Sequence, residues 1–182
     1  MRRKAGNALP AALNVKAEVF LSQHPSVMWE KRELEGGRAE YELRVPSSDP
    51  GGFVVGGEVR TFGIIPSLGG HYLGWSWDVV SDLSIEQICD QFLALIRATL
   101  SADCRLRRTL AAGKVLDFVI EAASPQGWQV VDSLPRGFFH RWRLRQRQDL
   151  SEEIRQNQLL PPIGFATGQD TWDNFVFRRH VG

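Results

Sequence analysis

The stretch LSIEQICDQFLALIRATL, Leu83 to Leu100, constrains the fold of this chain more than any other. Ile85, Ile88, Cys89, Phe92, Ile96 and Leu100 recur at the spacing that lines one face of a helix. Ser84 followed by Gln87 predicts a capping box, in which the Ser84 hydroxyl accepts from the Gln87 N–H and the Gln87 side chain reaches back to Ser84. Leu83 and Ile88 hold the positions of a hydrophobic staple. Glu86 stands at the positive end of the helix dipole and Arg97 near the negative end. A segment so consistent at each level is the scaffold on which the rest of the chain is expected to pack.

The strands around it are legible by period two. Val27 to Leu34 and Arg38 to Val45 predict a hairpin. Ala39, Tyr41, Leu43 and Val45 alternate with Glu40, Glu42 and Arg44, and Glu35-Gly36-Gly37 supplies the turn. Pro46 to Gly52 is a turn-rich loop. Phe53 to Ile65 reads as one long strand interrupted at Gly56-Gly57 by a bulge or bend, and Pro66 to Gly70 as a turn. His71 to Val80 reads as a strand with Leu73, Trp75, Trp77 and Val79 on one face. After the helix, Arg105 to Thr109, Val115 to Glu121 and Trp128 to Asp132 form a meander with turns at Gly113 and Pro125-Gln126-Gly127. Val15 to Leu21 is expected as a first strand and Trp172 to Arg179 as a closing one. Asp149 to Leu160 is expected as a short helix, stopped by Pro161-Pro162. The expected fold is therefore α+β: a mostly antiparallel sheet packed on one long central helix, with a short C-terminal helix. Residues 1–14 are expected as a loose arm and 15–182 as a single domain.

Composition narrows the function classes. Net charge is +1, so nothing global draws the chain to nucleic acid or an anionic membrane. Positive charge is local: residues 101–147 hold nine Lys/Arg against four Asp/Glu. No apolar run approaches the ~20 residues of a membrane helix. The basic start MRRKAGNALPAAL is broken by Asn7 and Pro10 and is not read as a signal peptide. The two cysteines, Cys89 and Cys104, are separated by mostly helix, too far apart for a disulfide, and reduced thiols fit a cytoplasmic setting.

Chemistry-bearing motifs are scarce. His24, His71, His140 and His180 do not fall at metal-ligand spacing, so no metal and no cofactor are expected. No nucleophile elbow, zinc-protease helix, phosphate loop or dinucleotide fingerprint occurs. Cys89 points into the core, where a thiol is inert. An acid–base pair from Asp78 and Glu58, or from Asp103, Asp117 and Glu121, would need strands brought together in space.

The most informative polar segment is RGFFHRWRLRQR, Arg136 to Arg147. Read as a strand, it places Arg141, Arg143, Arg145 and Arg147 on one face and Phe138, His140, Trp142 and Leu144 on the other. Such a row spans about 20 Å and suits an acidic protein surface or a phosphate backbone. The bland alternative is a solvated face paired with acids of a neighbouring strand. The second candidate is GGHYLGWSWD, in which His71, Tyr72 and Trp75 are interface-type residues beside flexible glycines. Its bland alternative is core packing for the tryptophans and an exposed loop for His71.

Three function classes follow. The leading expectation is a non-enzymatic protein-binding module, a small bacterial immunity- or inhibitor-type protein that neutralises an acidic-surfaced partner through these charged and aromatic residues. The second is a nucleic-acid-binding module using the Arg141–Arg147 strip. The third is a hydrolase whose site is assembled from distant strands.

Overall fold

The computed structural model describes residues 8–34, 40–73, 76–78, 83–134 and 149–163. The architecture is α+β, dominated by antiparallel sheet. Its described elements run α1 (Ala8–Gln23), β1 (Glu30–Glu33), β2 (Tyr41–Val45), β3 (Val55–Arg60), β4 (Gly63–Leu68), β5 (His71–Tyr72), β6 (Trp77–Asp78), α2 (Ile85–Leu100), β7 (Cys104–Ala111), β8 (Lys114–Ser124), β9 (Gly127–Leu134) and β10 (Leu150–Gln156).

Helix α2 forms as its sequence dictates. Ser84 Oγ accepts from Gln87 N–H and Gln87 Oε1 accepts from Ser84 N–H, closing the capping box. Ile88, Phe92, Leu95 and Ile96 are buried along the expected face. It is not a lone central helix, however. Residues 8–14, expected in the loose arm, and Val15 to Leu21, expected as a strand, together form α1, which packs on α2. Leu9, Leu13, Ala17 and Phe20 are its buried stripe. The β-branched Val15 and Val19, which suggested a strand, are its exposed residues. Lys16 bridges the helices, 2.8 Å from Glu86 and 2.6 Å from Asp90.

The first sheet runs β1-β2-β3-β4-β5, with β6 also pairing β4. Its opening hairpin is in the expected place, with Glu30 opposite Arg44 and Glu33 opposite Tyr41, and β2 buries Tyr41, Leu43 and Val45 in strict alternation. The long strand expected from Phe53 to Ile65 is instead the hairpin β3–β4, turning at Thr61-Phe62. Gly56 and Gly57 are mid-strand, not a bend. A Cβ on Gly57 would lie 3.0 Å from Phe92 Cε2 and 2.9 Å from the Ile65 carbonyl oxygen, so its absence lets α2 settle against the sheet. The turn expected over Pro66 to Gly70 contracts to Gly69-Gly70, with Pro66 buried in β4. The strand expected from His71 to Val80 is divided into β5 and β6, with Trp77 fully in the core and its ring edge-on to Phe92 at 6.1 Å.

The second sheet runs β10-β7-β8-β9. Its meander β7–β8–β9 matches the sequence reading. The helix expected over Asp149 to Leu160 is overturned: Leu150–Gln156 is a strand antiparallel to β7, Glu152 opposite Thr109 and Ile154 opposite Arg107. SEEIRQ has good helix formers, but the arginines of β7 give its acids cross-strand partners that an isolated helix lacks. Residues of both helices and both sheets share one buried cluster, including Leu13, Leu43, Ile64, Phe92, Leu106 and Ile120. Cys89 and Cys104 are free thiols inside it, as expected.

Candidate functional site

Strand β7 begins Cys-Arg-Leu-Arg. Period two turns Cys104 and Leu106 into the core and leaves Arg105 and Arg107 on the outer face. On β8 the core takes Phe118, Ile120 and Ala122, so Glu121 comes to the outer face, directly opposite Arg105. Glu121 is only 5% exposed. A carboxylate that deep is expensive unless paired. Here Arg105 Nε donates to Oε2 at 2.6 Å and Arg107 Nε donates to Oε1 at 3.0 Å. Arg107 Nη1 also donates to Glu152 at 3.1 Å, from β10. The Arg107 pKa is raised; burial opposes its charge, but the hydrogen bonds and charges of Glu121 and Glu152 outweigh that.

Apolar side chains flank these ions. The Arg105 guanidinium lies over the Trp128 ring, 4.3 Å from its centroid. Val130, opposite Glu121, is 58% exposed, and Ile154, opposite Arg107, is 53% exposed. A bulge puts them there. Ile120 pairs with Asp132 but Glu121 pairs with Val130, leaving Val131 as an extra residue on β9. Beyond it Asp132 joins the core side of the sheet at 4% exposure, while Trp128 and Val130 stay outside.

The result is a face on which two arginines are held in fixed positions among exposed aliphatic and aromatic carbon. Trp and Arg dominate the energetics of protein interfaces, and side chains already immobilised lose less entropy on contact. Sequence reasoning missed this face. Arg105, Glu121 and Trp128 were legible as strand residues, but the helical reading of β10 removed Ile154 and Glu152, and nothing local announced the bulge.

Arg141, Arg143, Arg145, Arg147 and Trp75 lie outside the described residues. His71 and Tyr72 are exposed on β5 and do not join the Arg105 face. The His71 ring sits 4.9 Å from that of Phe118, on the opposite side of β8 from Glu121. Tyr72 stands near Glu42 and Glu58; burial first, then those acids, raises its pKa. Of the carboxylates considered for acid–base work, Glu58 is bound by Arg60 at 2.8 Å, and Glu121 by Arg105 and Arg107.

Among the described residues no three His, Cys, Asp or Glu side chains are grouped to hold a metal. None of the described helices is long and apolar enough to cross a membrane. An open notch of about 310 Å³ lies between α1 and β1, where Tyr41 Oη donates to Asn14 Oδ1 at 2.9 Å and Lys31 Nζ sits 4.0 Å from the Tyr41 ring centroid. Comparison with known proteins finds no matching family model, no similar curated protein and no similar solved structure.

Proposed function

We propose that this chain is a non-enzymatic protein-binding module, of the kind that neutralises a partner protein, and that it docks through the outer face of the β10-β7-β8-β9 sheet. One arrangement supports the reading: Trp128, Val130 and Ile154 exposed around Arg105 and Arg107, both anchored on buried Glu121. Carbon this exposed on a sheet face gains by being covered, at about 25 cal/mol per Å². The locked arginines fix the register in which it is covered. Among the described residues the arginines of this face are already paired, Arg105 and Arg107 with Glu121 and Glu152, and Asp117 adds a further acid, so its partner need not be acidic. Nucleic-acid binding through this face would lack the excess of cations that drives counterion release.

The test is affinity capture with the wild-type chain from its source organism, followed by measured binding of the purified captured protein. Val130→Lys and Ile154→Lys should each weaken that binding by at least about tenfold, equivalent to ~1.4 kcal/mol. Their melting temperatures should stay near that of the parent, because both positions are exposed. Binding that both variants retain overturns this assignment of the face. Affinity collapsing between low and physiological salt would instead favour the nucleic-acid class.

A further inference from the structure

We infer that the notch between α1 and β1 binds a free α-amino acid, held as a zwitterion between Lys31 and Glu33. The notch belongs to the first sheet, so this site is separate from the face assigned to a partner protein and does not depend on that assignment.

Strand pairing puts both charges on the helix side of the sheet. Lys31 stands opposite Leu43 and Glu33 opposite Tyr41, and residues directly opposite share a face. Tyr41 and Leu43 are buried, whereas all four residues of β1 are exposed, so α1 stops short of this strand. The space beyond the helix is the notch of about 310 Å³, walled on one side by Pro10 and Ala11. That is room for a small molecule.

The two charges stay apart where others in the chain close. Glu42 and Arg44, Glu58 and Arg60, and Glu153 and Arg155 are each two residues apart on one strand, and they pair at 3.9, 2.8 and 2.8 Å. On β1 neither such pair closes. Glu30 and Arg32 point to the outer side; Lys31 and Glu33 flank the notch. The Lys31 ammonium lies over the Tyr41 ring, 4.0 Å from its centroid, and its donors remain open. Glu33 makes no hydrogen bond or ion pair among the described residues.

Two neighbours complete the lining. Tyr41 Oη donates to Asn14 Oδ1 at 2.9 Å, which turns the carboxamide so that Nδ2 is left as a donor. Thr61 Oγ1 donates to Glu40 Oε1 at 3.0 Å, which steadies a second carboxylate at the rim. Lys31 and Asn14 thus offer donors to a carboxylate, and Glu33 and Glu40 offer acceptors to an ammonium. The Lys31 and Glu33 side chains leave the strand about 7 Å apart. An α-amino acid carries both charges on one carbon, so a single molecule reaches both. A simple anion would meet the two carboxylates, and a simple cation would meet the lysine. Pro10 and Ala11 favour an aliphatic side chain on that molecule over a charged one.

Calorimetric titration of the full chain with L-leucine tests this. Binding with a Kd of about 1 mM or tighter is expected. N-acetyl-L-leucine and L-leucinamide, each lacking one of the two charges, should bind at least about tenfold more weakly. Lys31→Met and Glu33→Gln should each weaken leucine binding by a similar factor. Both positions are exposed, so their melting temperatures should stay near that of the parent. The double variant Val130→Lys/Ile154→Lys, altered on the other sheet, should bind leucine as the parent does.

Absence of binding up to about 10 mM leucine overturns the inference. So does a derivative that binds as tightly as leucine, or binding that survives both notch substitutions. Loss of leucine binding in Val130→Lys/Ile154→Lys would place the ligand elsewhere and overturns it as well. Capture of a partner protein by the second sheet succeeds or fails independently of this titration.

Discussion

Asn157 treats the backbone of Phe53 as a neighbouring strand would: its Oδ1 accepts from Phe53 N–H at 3.0 Å and its Nδ2 donates to the Phe53 carbonyl at 2.9 Å. A further bond from Nδ2 reaches the Thr99 carbonyl at 3.1 Å, near the end of α2. Asn157 is fully buried and follows directly on β10, so one carboxamide ties the second sheet to the β2–β3 connection of the first sheet and to the helix. Asn157→Ala should therefore lower stability by about 2–4 kcal/mol, since it strands buried backbone groups at about 1–3 kcal/mol each. Urea denaturation measures this; a loss under about 1 kcal/mol would show that water replaces the carboxamide.

Phe92→Ala should cost about 3–5 kcal/mol, the usual range for emptying a fully buried aromatic site. Gly57→Ala attacks the same contact from the other side, pushing a methyl at the Phe92 ring. The double variant should be less destabilised than the sum of the singles, because the cavity left by one receives the methyl of the other. Strict additivity in thermal unfolding would sink the claim that Gly57 exists to seat Phe92.

Stability should decline on the alkaline side. Burial pushes the Cys89 thiol from 9.0 up to about 11 and the Tyr41 hydroxyl from 10.0 up to about 12, and burial raises Cys104 as well. In the window between each pair of values the unfolded chain has released a proton that the folded chain retains. Rising pH therefore favours unfolding, and the stabilisation present below pH 9 is lost progressively from pH 9 to 11 and beyond. Urea midpoints under reducing conditions at pH 8, 9.5 and 10.5 report the slope. Cys89→Ala should make it shallower, and an identical slope in that variant would refute the assignment.

Two ion clusters should answer mutation very differently. Lys16 joins α1 to Glu86 and Asp90, but those acids are 68% and 63% exposed, so Lys16→Met should change stability by no more than about 1 kcal/mol. Glu121 is buried beneath two arginines, and Glu121→Ala should cost about 2–4 kcal/mol by leaving both without their shared anion. Comparable losses at the two sites would mean that burial does not govern either cluster.

Ala112 occupies the left-handed region at φ 49°, followed by Gly113 at φ 75°, in the two-residue turn between β7 and β8. Ala pays there for a conformation that Asn adopts readily. Ala112→Asn should raise stability by about 0.5–1 kcal/mol, seen as a higher urea midpoint at unchanged slope.

What the sequence made legible tracks how local the deciding interactions are. The Ser84–Gln87 box and the α2 stripe depend on residues within a few turns, and they appear as read. So do the pairing of β1 with β2, whose expected turn at Glu35-Gly36-Gly37 lies outside the described residues, and the β7–β9 meander, whose turn residues are contiguous. The helix α1 was hidden because Val15, Val19 and Phe20 suit a strand when seen alone, while its buried stripe needs α2 opposite it. Strand β10 was hidden for the converse reason: SEEIRQ prefers a helix until Arg107 and Arg108 of β7 supply partners for Glu152 and Glu153 at 3.1 and 3.5 Å. The outer face of the second sheet combines residues from four strands spread over positions 105 to 154, and no window of sequence contains it. His71 and Tyr72 are both exposed, and alternation sends them to different surroundings.

The extra residue at Val131 makes the display on β9 a matter of parity. Upstream of it the even-numbered side chains Trp128 and Val130 look outward; just beyond it the even-numbered Asp132 looks inward. Deleting Val131 would leave both displays unchanged, because Val130 and Asp132 would then alternate without a bulge; a strand that kept its length and lost the bulge would have to turn either the tryptophan and valine or the aspartate to the opposite side.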